Sequence, residues 1–400
     1  MPIRIKKLSE EYNLIKRARN RYWDSDVIYL RGGDPNFATP DHIRDACIKA
    51  IIEGYTHYAP MEGIPELRES IVKYYAKYGV KYDATQVYAT AGGSAALNVA
   101  IGSMLKDSPG SEVLVFDPGY ASDYAIPAFW GAKVVPVPLS EPGYHLNPDE
   151  LKKRVTDKTR MLILTNPNNP TGTVFTQKEL EAIRDLAVEK DLTVVSDEFY
   201  TEYVYDGRKH IGISSLDGML ERTIVVIGGT KIFNFTGWRL AADIIPKKLW
   251  LKVSTFGQNM GCRPATFIQR AGVVAFDGLS ETYGWSVLQD QKAEYDRRRK
   301  VFCKRMNEIE GISCHMFEGA FYAFPNISKL GIPTAKFVAD LLKSQKLEVM
   351  DGERMGATAL IGKASLAYGH IRPALTEDDV DEAANRIEKF VKQITVKAPA

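Results

Sequence analysis

The sequence lacks long apolar segments and contains few cysteines. No apolar run in its 400 residues approaches the ~18 residues that a membrane helix requires, and the opening MPIRIKKLSEEYN has no apolar signal core. The four cysteines show no CxxC spacing and are too few for a disulfide framework, which favours a reducing compartment. The six histidines form no HxxxH or HExxH motif. We therefore expect a cytoplasmic protein without a metal site.

An excess of charge of one sign is also missing. The 52 Lys and Arg are balanced by 50 Asp and Glu, and no long basic block occurs. Nucleic acid and membrane surfaces are therefore not expected as partners. The shares of apolar residues (45%) and charged residues (26%) are those of an ordinary globular chain. A small molecule is the default ligand.

The sequence does contain an alternation of strands and helices in its middle part. Six short segments are predicted as buried parallel strands: QVYATA, EVLVFDP, KVVPVPL, RMLILTN, LTVVSDE and TIVVIGG. SAALNVAIGSML is predicted as a helix, and so is TQKELEAIRDLAVEK, where Thr176 and Glu179 form a capping box. The pattern predicts an α/β fold with a large doubly wound, mostly parallel sheet, whose ligands bind at the carboxyl ends of the strands.

The two ends of the chain have a different pattern. LQDQKAEYDRRRKVFCKRMNEIEG is predicted as one long helix, HMFEGAFYAFPNI as strands, and TEDDVDEAANRIEKFVKQI as a closing helix that begins at Thr376. We therefore expect a large domain at residues 45–285, with residues 1–44 and 286–400 forming a smaller α+β domain with the N-terminal segment.

Polar residues follow two of the predicted strands. NPNNPTG, from Asn166 to Gly172, comes directly after RMLILT and forms a fixed turn that can present Asn amides to a ligand. In isolation it could also be a plain turn. The next strand ends at Asp197, followed by Tyr200. A carboxylate at the end of an apolar strand needs a positive partner, either a structural salt bridge or a cationic ligand.

Two further segments contain residues that could act as a nucleophile or bind an anion. Lys231 follows the strand TIVVIGG and could serve as a Schiff-base nucleophile and general base, although a lysine at a strand end is commonly a surface residue. Arg239, eight residues on, suits a phosphate. Gly93 and Ser94 lie between a strand and a helix, where free N–H groups attract an anion, or where the glycines only allow a tight turn.

Taken together, these segments require a ligand with a phosphate, a protonatable ring nitrogen, an oxygen acceptor and an aldehyde. Pyridoxal phosphate has all four. Over residues 28 to 395 the chain resembles fold-type I pyridoxal-phosphate enzymes of the class I/II aminotransferase family, which are aspartate aminotransferase-like. NPNNPTG, SDEFY and TKIFNFTGWR stand in the family's order. The steps of 28 residues from Asn169 to Asp197 and of eight from Lys231 to Arg239 also match its pattern.

The resemblance implies a role for each matching residue. Lys231 would carry the cofactor and move the proton, Asp197 would pair with the pyridinium nitrogen, and Tyr200 with Asn169 would hydrogen-bond the phenolic oxygen. Tyr120 would stack on the ring. The phosphate would be held by Gly93, Ser94, Arg239 and the neighbouring subunit's Tyr58, which implies a homodimer; for Tyr58, plain aromatic packing is the alternative. The substrate would be bound by Gly33, Asn169 and Arg372.

The implied activity is transfer of an amino group between an α-amino acid and a 2-oxo acid, by a ping-pong mechanism through Lys231. A lyase acting by β-elimination or a carbon–carbon-forming synthase on the same fold is the alternative. A regulator with an aminotransferase-like sensor domain would need a DNA-binding domain, for which the roughly 27 residues before the first strand leave no room.

Three departures from the family pattern affect the site. Gly228 stands where many members have a phosphate-binding serine. The loop from Asp351 to Gly356 replaces the usual Pro-Gly-x-x-Phe-Gly. Lys363 allows a second alignment with the family pattern, which competes with the one that makes Arg372 the residue binding the α-carboxylate.

The substrate class stays open at this level. Arg263, preceded by Cys262, could read a distal carboxylate in the partner's site or form an interface salt bridge. Alternatively, the N-terminal aromatic residues Tyr12, Tyr22 and Trp23 could shape a pocket for an aromatic substrate.

Overall fold

The computed structural model describes residue 24 and residues 26–278, 282–357, 365–377 and 379–395, without the side chains of 282–285. Tyr12, Tyr22, Trp23 and Lys363 lie outside the described residues. Eight strands of this part form the central sheet in the order β2-β9-β8-β7-β6-β3-β4-β5. They are β2 (Val87–Thr90), β3 (Glu112–Asp117), β4 (Lys133–Ser140), β5 (His145–Leu146), β6 (Thr159–Thr165), β7 (Thr193–Asp197), β8 (Thr223–Ile227) and β9 (Ala241–Ile244).

The sheet is mostly parallel, as predicted. The neighbours β4, β3, β6, β7 and β8 pair in parallel, so their carboxyl ends share one edge. The prediction of a parallel partner for QVYATA is wrong, because β2 pairs antiparallel with β9. Since β9 is itself antiparallel to β8, β2 still runs in the same direction as β8. The sequence pattern did not indicate β9, which lies between β2 and β8. Because β9 is antiparallel to both neighbours, the end of β2 still lies at the ligand-binding edge.

Both faces of the sheet are buried. Alternate residues of β3 belong to two separate apolar cores, with Val113 and Val115 in one and Leu114 and Phe116 in the other. Because successive side chains of a strand point to opposite faces, helices must cover both sides. The α-helices span Asp41–Ile52, Pro65–Tyr75, Gly93–Leu105, Ala121–Phe129, Pro148–Lys152, Gln177–Glu189, Trp250–Asn259, Thr266–Gly278, Thr282–Asn307, Thr334–Gln345 and Val380–Thr395.

Local signals place several of these helices. The capping box at the start of Gln177–Glu189 is confirmed: the Glu179 amide donates to Thr176 Oγ1 at 3.4 Å, and the Thr176 amide donates to the Glu179 carboxylate at 2.7 Å. The predicted long helix is present as Thr282–Asn307. The closing helix starts at Val380, four residues after the predicted start. No described helix combines the length and the apolar character needed to cross a bilayer.

A second sheet joins the two ends of the chain. It contains β1 (Ile28–Leu30), β10 (Leu347–Asp351) and β11 (Ile371–Arg372), with β1 parallel and β11 antiparallel to β10. The segment HMFEGAFYAFPNI was predicted as strands, but it forms only isolated bridges, such as Tyr322 to Ala374. Its apolar residues are buried by packing rather than by a continuous ladder.

Candidate active site

The ends of three parallel strands bring the central site residues together. Asp197 is the last residue of β7 and lies opposite Thr165, the last residue of β6. The Asn166 amide, which begins the NPNNPTG turn, donates to the Asp197 carbonyl at 3.0 Å. Lys231 follows β8 in the same direction. The sheet geometry thus places a carboxylate, a lysine and an Asn-rich turn at one edge.

Lys231 is surrounded by protein and by other cations. Burial is the largest cause that lowers the pKa of its amine. Arg372 and Arg239 also lower it, Asp34 and Asp197 oppose the change, and the resulting pKa is about 8. Its Nζ donates to the Gly33 carbonyl. A lysine with this pKa is partly neutral near neutral pH, which is the form that acts as nucleophile or base.

Asp197 is a buried carboxyl group without a cationic partner. Its side chain is 5% exposed, and within the described residues it makes no ion pair, accepting only from the Phe199 amide at 3.3 Å. Burial and the neighbouring Glu198 raise its pKa, the Phe199 amide and Lys231 oppose the increase, and the resulting pKa is about 7. A positively charged group placed against it would restore the ionised form.

Hydrogen bonds within the turn after β6 hold its backbone and leave one buried amide oxygen unpaired among the described residues. Asn168 Oδ1 accepts from the Thr171 hydroxyl at 2.8 Å, and the Gly172 amide donates back to the Asn168 carbonyl at 2.9 Å. Asn169 is buried, and its Oδ1 has no hydrogen-bond partner in the described part of the chain. Tyr200 is buried nearby on the turn after β7. An unpaired buried amide of this kind is a candidate for ligand binding.

A corner suited to an anion lies at the start of the helix Gly93–Leu105. The Arg239 guanidinium packs against the residue before that helix, because a Cβ on Gly92 would lie 2.5 Å from Arg239 Nη2. Ser94, in the first turn, is exposed. The free N–H groups of a helix start together with a guanidinium form a site for phosphate.

The ring of Phe199 explains one departure from the family pattern. A Cβ on Gly228 would lie 2.4 Å from Phe199 Cε1, and a Cβ on Gly93 would lie 2.7 Å from Phe199 Cζ. The aromatic ring fills the space that a serine side chain at 228 would need. The missing hydroxyl is therefore a consequence of packing at this corner.

Arg372 is a buried cation close to Lys231. It is 5% exposed on β11, and its Nε and Nη1 have no hydrogen-bond partner among the described residues. Burial lowers the pKa of its guanidinium, and the pKa of Lys231 also responds to its charge. Two free N–H groups on a buried guanidinium are suited to a carboxylate.

Tyr120, which follows β3, lies near this group. Its hydroxyl contributes to the electrostatic environment of Tyr200, Tyr322 and Arg372. Gly33 closes the pocket from the other side, because a Cβ there would lie 2.1 Å from the Tyr322 hydroxyl. These contacts bring together Lys231, Asp197, Tyr200, Tyr120, Arg239, Arg372 and Gly33.

Tyr58 faces outward. It is 94% exposed, and its ring lies 5.0 Å from the guanidinium carbon of Arg263, which donates to the Ala59 carbonyl at 3.0 Å. Packing between two helices, the alternative role for Tyr58, is absent in the single chain. In the described part of the chain no hydrogen bond or ring contact joins Tyr58 to the other predicted site residues.

Sequence reasoning missed two buried residues beside the site. Tyr322 contacts Tyr200, Arg372 and Gly33, and its segment was assigned only a role in secondary structure. Asp123 is buried, accepts from the Thr165 hydroxyl at 2.8 Å and interacts electrostatically with Asp197. Its position three residues after Tyr120 was the available signal. No group of three or more potential metal ligands occurs among the described residues.

The unpaired groups fit pyridoxal phosphate. Asp197 forms no ion pair with another described residue, and Arg239 lies at a helix start. A pyridinium nitrogen and a phosphate would satisfy these two features, the aldehyde would meet Lys231, and the side-chain N–H of Asn169 would donate to the phenolic oxygen.

Comparison with known proteins agrees with this geometry. The family model described as "Aminotransferase class I and II" matches residues 25–387. The chain is 40% identical over 371 residues to an aspartate aminotransferase of Pyrococcus abyssi, and 39% identical over 370 residues to aromatic-amino-acid aminotransferase 2 of Thermococcus litoralis; each alignment covers 92% of both chains. The structure of an aromatic aminotransferase from Pyrococcus horikoshii superposes with a TM-score of 0.86 at 38% identity, covering 96% of this chain and all of that one.

Proposed function

This chain belongs to the aminotransferase class I and II family, and on that premise we propose which residues carry its reaction. It is a pyridoxal-phosphate-dependent aminotransferase of fold type I. The observation that carries the assignment of residues is that Lys231, Asp197 and Arg372 lie close together and that none of them forms an ion pair with another described residue. Three unpaired charges of this kind are costly unless ligands complete them.

Pyridoxal phosphate, when bound, supplies an aldehyde that takes up the amino group and a protonated ring that accepts electrons from the substrate. Asp197 would keep the ring nitrogen protonated. Asn169 and Tyr200 would bind the phenolic oxygen, and Gly93, Ser94 and Arg239 would bind the phosphate. Tyr120 would stack on the ring.

The remaining residues act on the substrate. Arg372 binds the α-carboxylate of the amino acid through its unpaired Nε and Nη1, with Gly33 and Asn169 alongside, and so orients the bond from the α-carbon to its hydrogen. Lys231 Nζ would take the proton from the α-carbon of the substrate and would return it to the cofactor carbon. Its pKa of about 8 suits a group that must accept and release a proton near neutral pH.

The active unit is a homodimer in this proposal. Tyr58 is 94% exposed and Ile52 is 79% exposed in the single chain. Large side chains exposed to this extent are typical of an interface. A second copy would cover them and would receive Tyr58 at its phosphate-binding corner.

The substrate pair is an α-amino acid and a 2-oxo acid. The relatives named aspartate and aromatic aminotransferases are equally similar to this chain, at 40% and 39% identity, so similarity does not decide between an acidic and an aromatic side chain. Arg263 lies beside Tyr58, and in the dimer it would either read a distal carboxylate in the partner's site or pair across the interface.

Two further features of the proposal concern location and domains. All four cysteines are free, which supports a reducing, cytoplasmic compartment.

The small domain is proposed to comprise residues 1–44 and 286–400, and β1 of the N-terminal part pairs with β10 of the C-terminal part.

Replacement of Lys231 tests the assignment. Lys231→Ala should abolish turnover and the visible absorption of the bound cofactor, while thermal unfolding of the protein is unchanged. Borohydride reduction of the wild type should leave the cofactor on the peptide that contains Lys231, as found by mass spectrometry. The exposed Lys248→Ala serves as the control and should keep both properties. Turnover in Lys231→Ala, or cofactor found on another lysine, would show that the assignment is wrong.

Mixed dimers test the sharing of Tyr58. Lys231→Ala and Tyr58→Ala chains should each have low activity, because each dimer lacks one group in both sites. After the two are unfolded and refolded together, hybrid dimers contain one complete site, and activity should recover to about a quarter of the wild-type level. Mixtures that stay at the average of the two variants would exclude a shared site.

A further inference from the structure

The side chain of Tyr322 joins two parts of the pocket. Its hydroxyl lies 2.7 Å from the Tyr200 hydroxyl, and its ring lies 4.6 Å from the guanidinium carbon of Arg372. We propose that Tyr322 is a positioning residue that holds Tyr200 and Arg372 together, and that it tunes cofactor binding and carboxylate binding through them. This inference rests on the proposed roles of those two residues.

The contact with Arg372 solves an electrostatic problem. A buried guanidinium without a counter-ion is unstable, and Arg372 has no carboxylate partner among the described residues. A carboxylate would occupy the N–H groups that the substrate needs. The face of an aromatic ring attracts the cation without accepting any N–H. Tyr322 therefore stabilises Arg372 while Nε and Nη1 stay free.

In this role Tyr322 donates to Tyr200, which is one of the two directions that the pair of hydroxyls allows. Each hydroxyl has one proton, and burial raises the pKa of both groups, that of Tyr322 to about 12, so both stay protonated at neutral pH. When Tyr322 donates to the Tyr200 oxygen, the Tyr200 proton is left to donate to the phenolic oxygen of the cofactor. Hydrogen bonds in such a chain strengthen one another.

Gly33 fixes the Tyr322 hydroxyl from the opposite side. A Cβ at position 33 would lie 2.1 Å from that hydroxyl oxygen, so only glycine allows the approach. The Gly33 carbonyl also accepts from Lys231 Nζ. The hydroxyl is thus held between Tyr200 and the segment that binds the catalytic lysine, in one fixed position.

Two substitutions separate the contribution of the hydroxyl from that of the ring. Tyr322→Phe keeps the ring over Arg372 and removes the hydrogen bond, whereas Tyr322→Leu removes both. Tyr205→Phe is the matched control, because this buried tyrosine donates to the Ala320 carbonyl at 2.6 Å, two residues before Tyr322. All three holoenzymes are titrated with pH while the visible absorption of the cofactor is recorded. The affinity of each apoenzyme for pyridoxal phosphate is measured as well.

For Tyr322→Phe, the pH midpoint of the absorption change should rise by roughly half a unit to one unit, because a weaker donor stabilises the ionised phenolic oxygen less. Its KM for the amino acid should stay within about threefold of the wild type. Tyr322→Leu should show the same shift of the midpoint and, in addition, a KM raised roughly tenfold through loss of the ring under Arg372. Tyr205→Phe should change neither quantity.

The role of Tyr322 is wrong if Tyr322→Phe titrates at the wild-type midpoint, or if Tyr205→Phe shifts it equally. A folded Tyr322→Leu enzyme with wild-type KM would also overturn it. The phenylalanine variant keeps nearly the whole side-chain volume, so the midpoint test holds even if the leucine variant does not fold. Failure of the proposed function would differ, since it would appear in the wild type and in Lys231→Ala.

Discussion

Three buried arginines show how this chain separates stability from binding. Arg298 and Arg299 lie on the long helix Thr282–Asn307, and Arg372 lies on β11 in the pocket. Arg298 donates to Glu294, Asn36 and the Leu375 carbonyl at 2.8, 3.0 and 3.2 Å. Arg299 donates to Asp206, Asp296 and the Phe317 carbonyl at 2.6, 2.7 and 2.8 Å. Arg372 has two nitrogens without a hydrogen-bond partner among the described residues, and the ring of Tyr322 lies against its guanidinium.

The difference in partners indicates a difference in role. A buried cation that donates to several partners contributes to the folded structure, and its loss leaves those partners unpaired. A buried cation whose donors are free weakens the folded structure until a ligand arrives. The fold tolerates Arg372 because the surrounding sheets and helices are well packed. Burial alone therefore does not identify a binding residue, whereas burial without partners at a strand edge does.

The largest effects should come from removing one arginine of each kind. Arg372→Leu should lower kcat/KM by roughly a thousandfold, because it removes one side of a buried charge pair with the substrate. Its free energy of unfolding in the apo form should stay equal or increase. Arg299→Leu should lower the free energy of unfolding by about 3 kcal/mol and leave kcat/KM of the folded fraction nearly unchanged. Urea denaturation and steady-state kinetics measure the two quantities.

The distinction between a stabilising and a binding arginine would be wrong if both variants lost the same free energy of unfolding. It would also be wrong if Arg372→Leu kept its kcat/KM. The substrate carboxylate would then have to bind elsewhere, for example at Lys363. The two variants control for each other, since both replace a buried arginine by leucine.

The sequence predicted those parts of the site that follow from local patterns. Lys231, Asp197 and Asn169 follow strands whose apolar character is evident, and the capping box at Thr176 depends on residues three apart. The strand β9 was missed because AADI is short and carries a central aspartate. The apolar residues of HMFEGAFYAFPNI suggested strands, although packing accounts for their burial.

Contacts between distant parts of the chain were beyond sequence reasoning. Tyr322 is 122 residues from Tyr200, so no spacing rule could connect the two. The sequence shows that position 228 is a glycine, but only the coordinates show that the ring of Phe199 fills the space beside it. The same holds for the exposure of Tyr58 and for the absence of partners around Arg372.

A second comparison, between two buried aspartates, gives the smaller effect. Asp197 stands at a strand end, where a ligand can reach it. Asp243 lies within β9 opposite Tyr88, and neither of its oxygens has a hydrogen-bond partner in the part of the chain that the structure describes. Burial raises the pKa of Asp243 well above its usual value. Asp243 should therefore be protonated when folded and ionised when unfolded at neutral pH. Its effect is to lower stability as the pH rises above about 4, the pKa of an unfolded aspartate.

Asp243→Val should increase the free energy of unfolding by about 2 kcal/mol at pH 8, because valine suits a buried strand and removes an unsatisfied carboxyl. The gain should shrink towards pH 4, where both folded and unfolded wild-type chains bind the proton. kcat/KM should not change. Urea denaturation at several pH values measures the effect, with Asp243→Asn as the variant of equal shape. A gain that is independent of pH would mean that Asp243 is ionised in the folded protein and has a partner, contrary to the role given to it here.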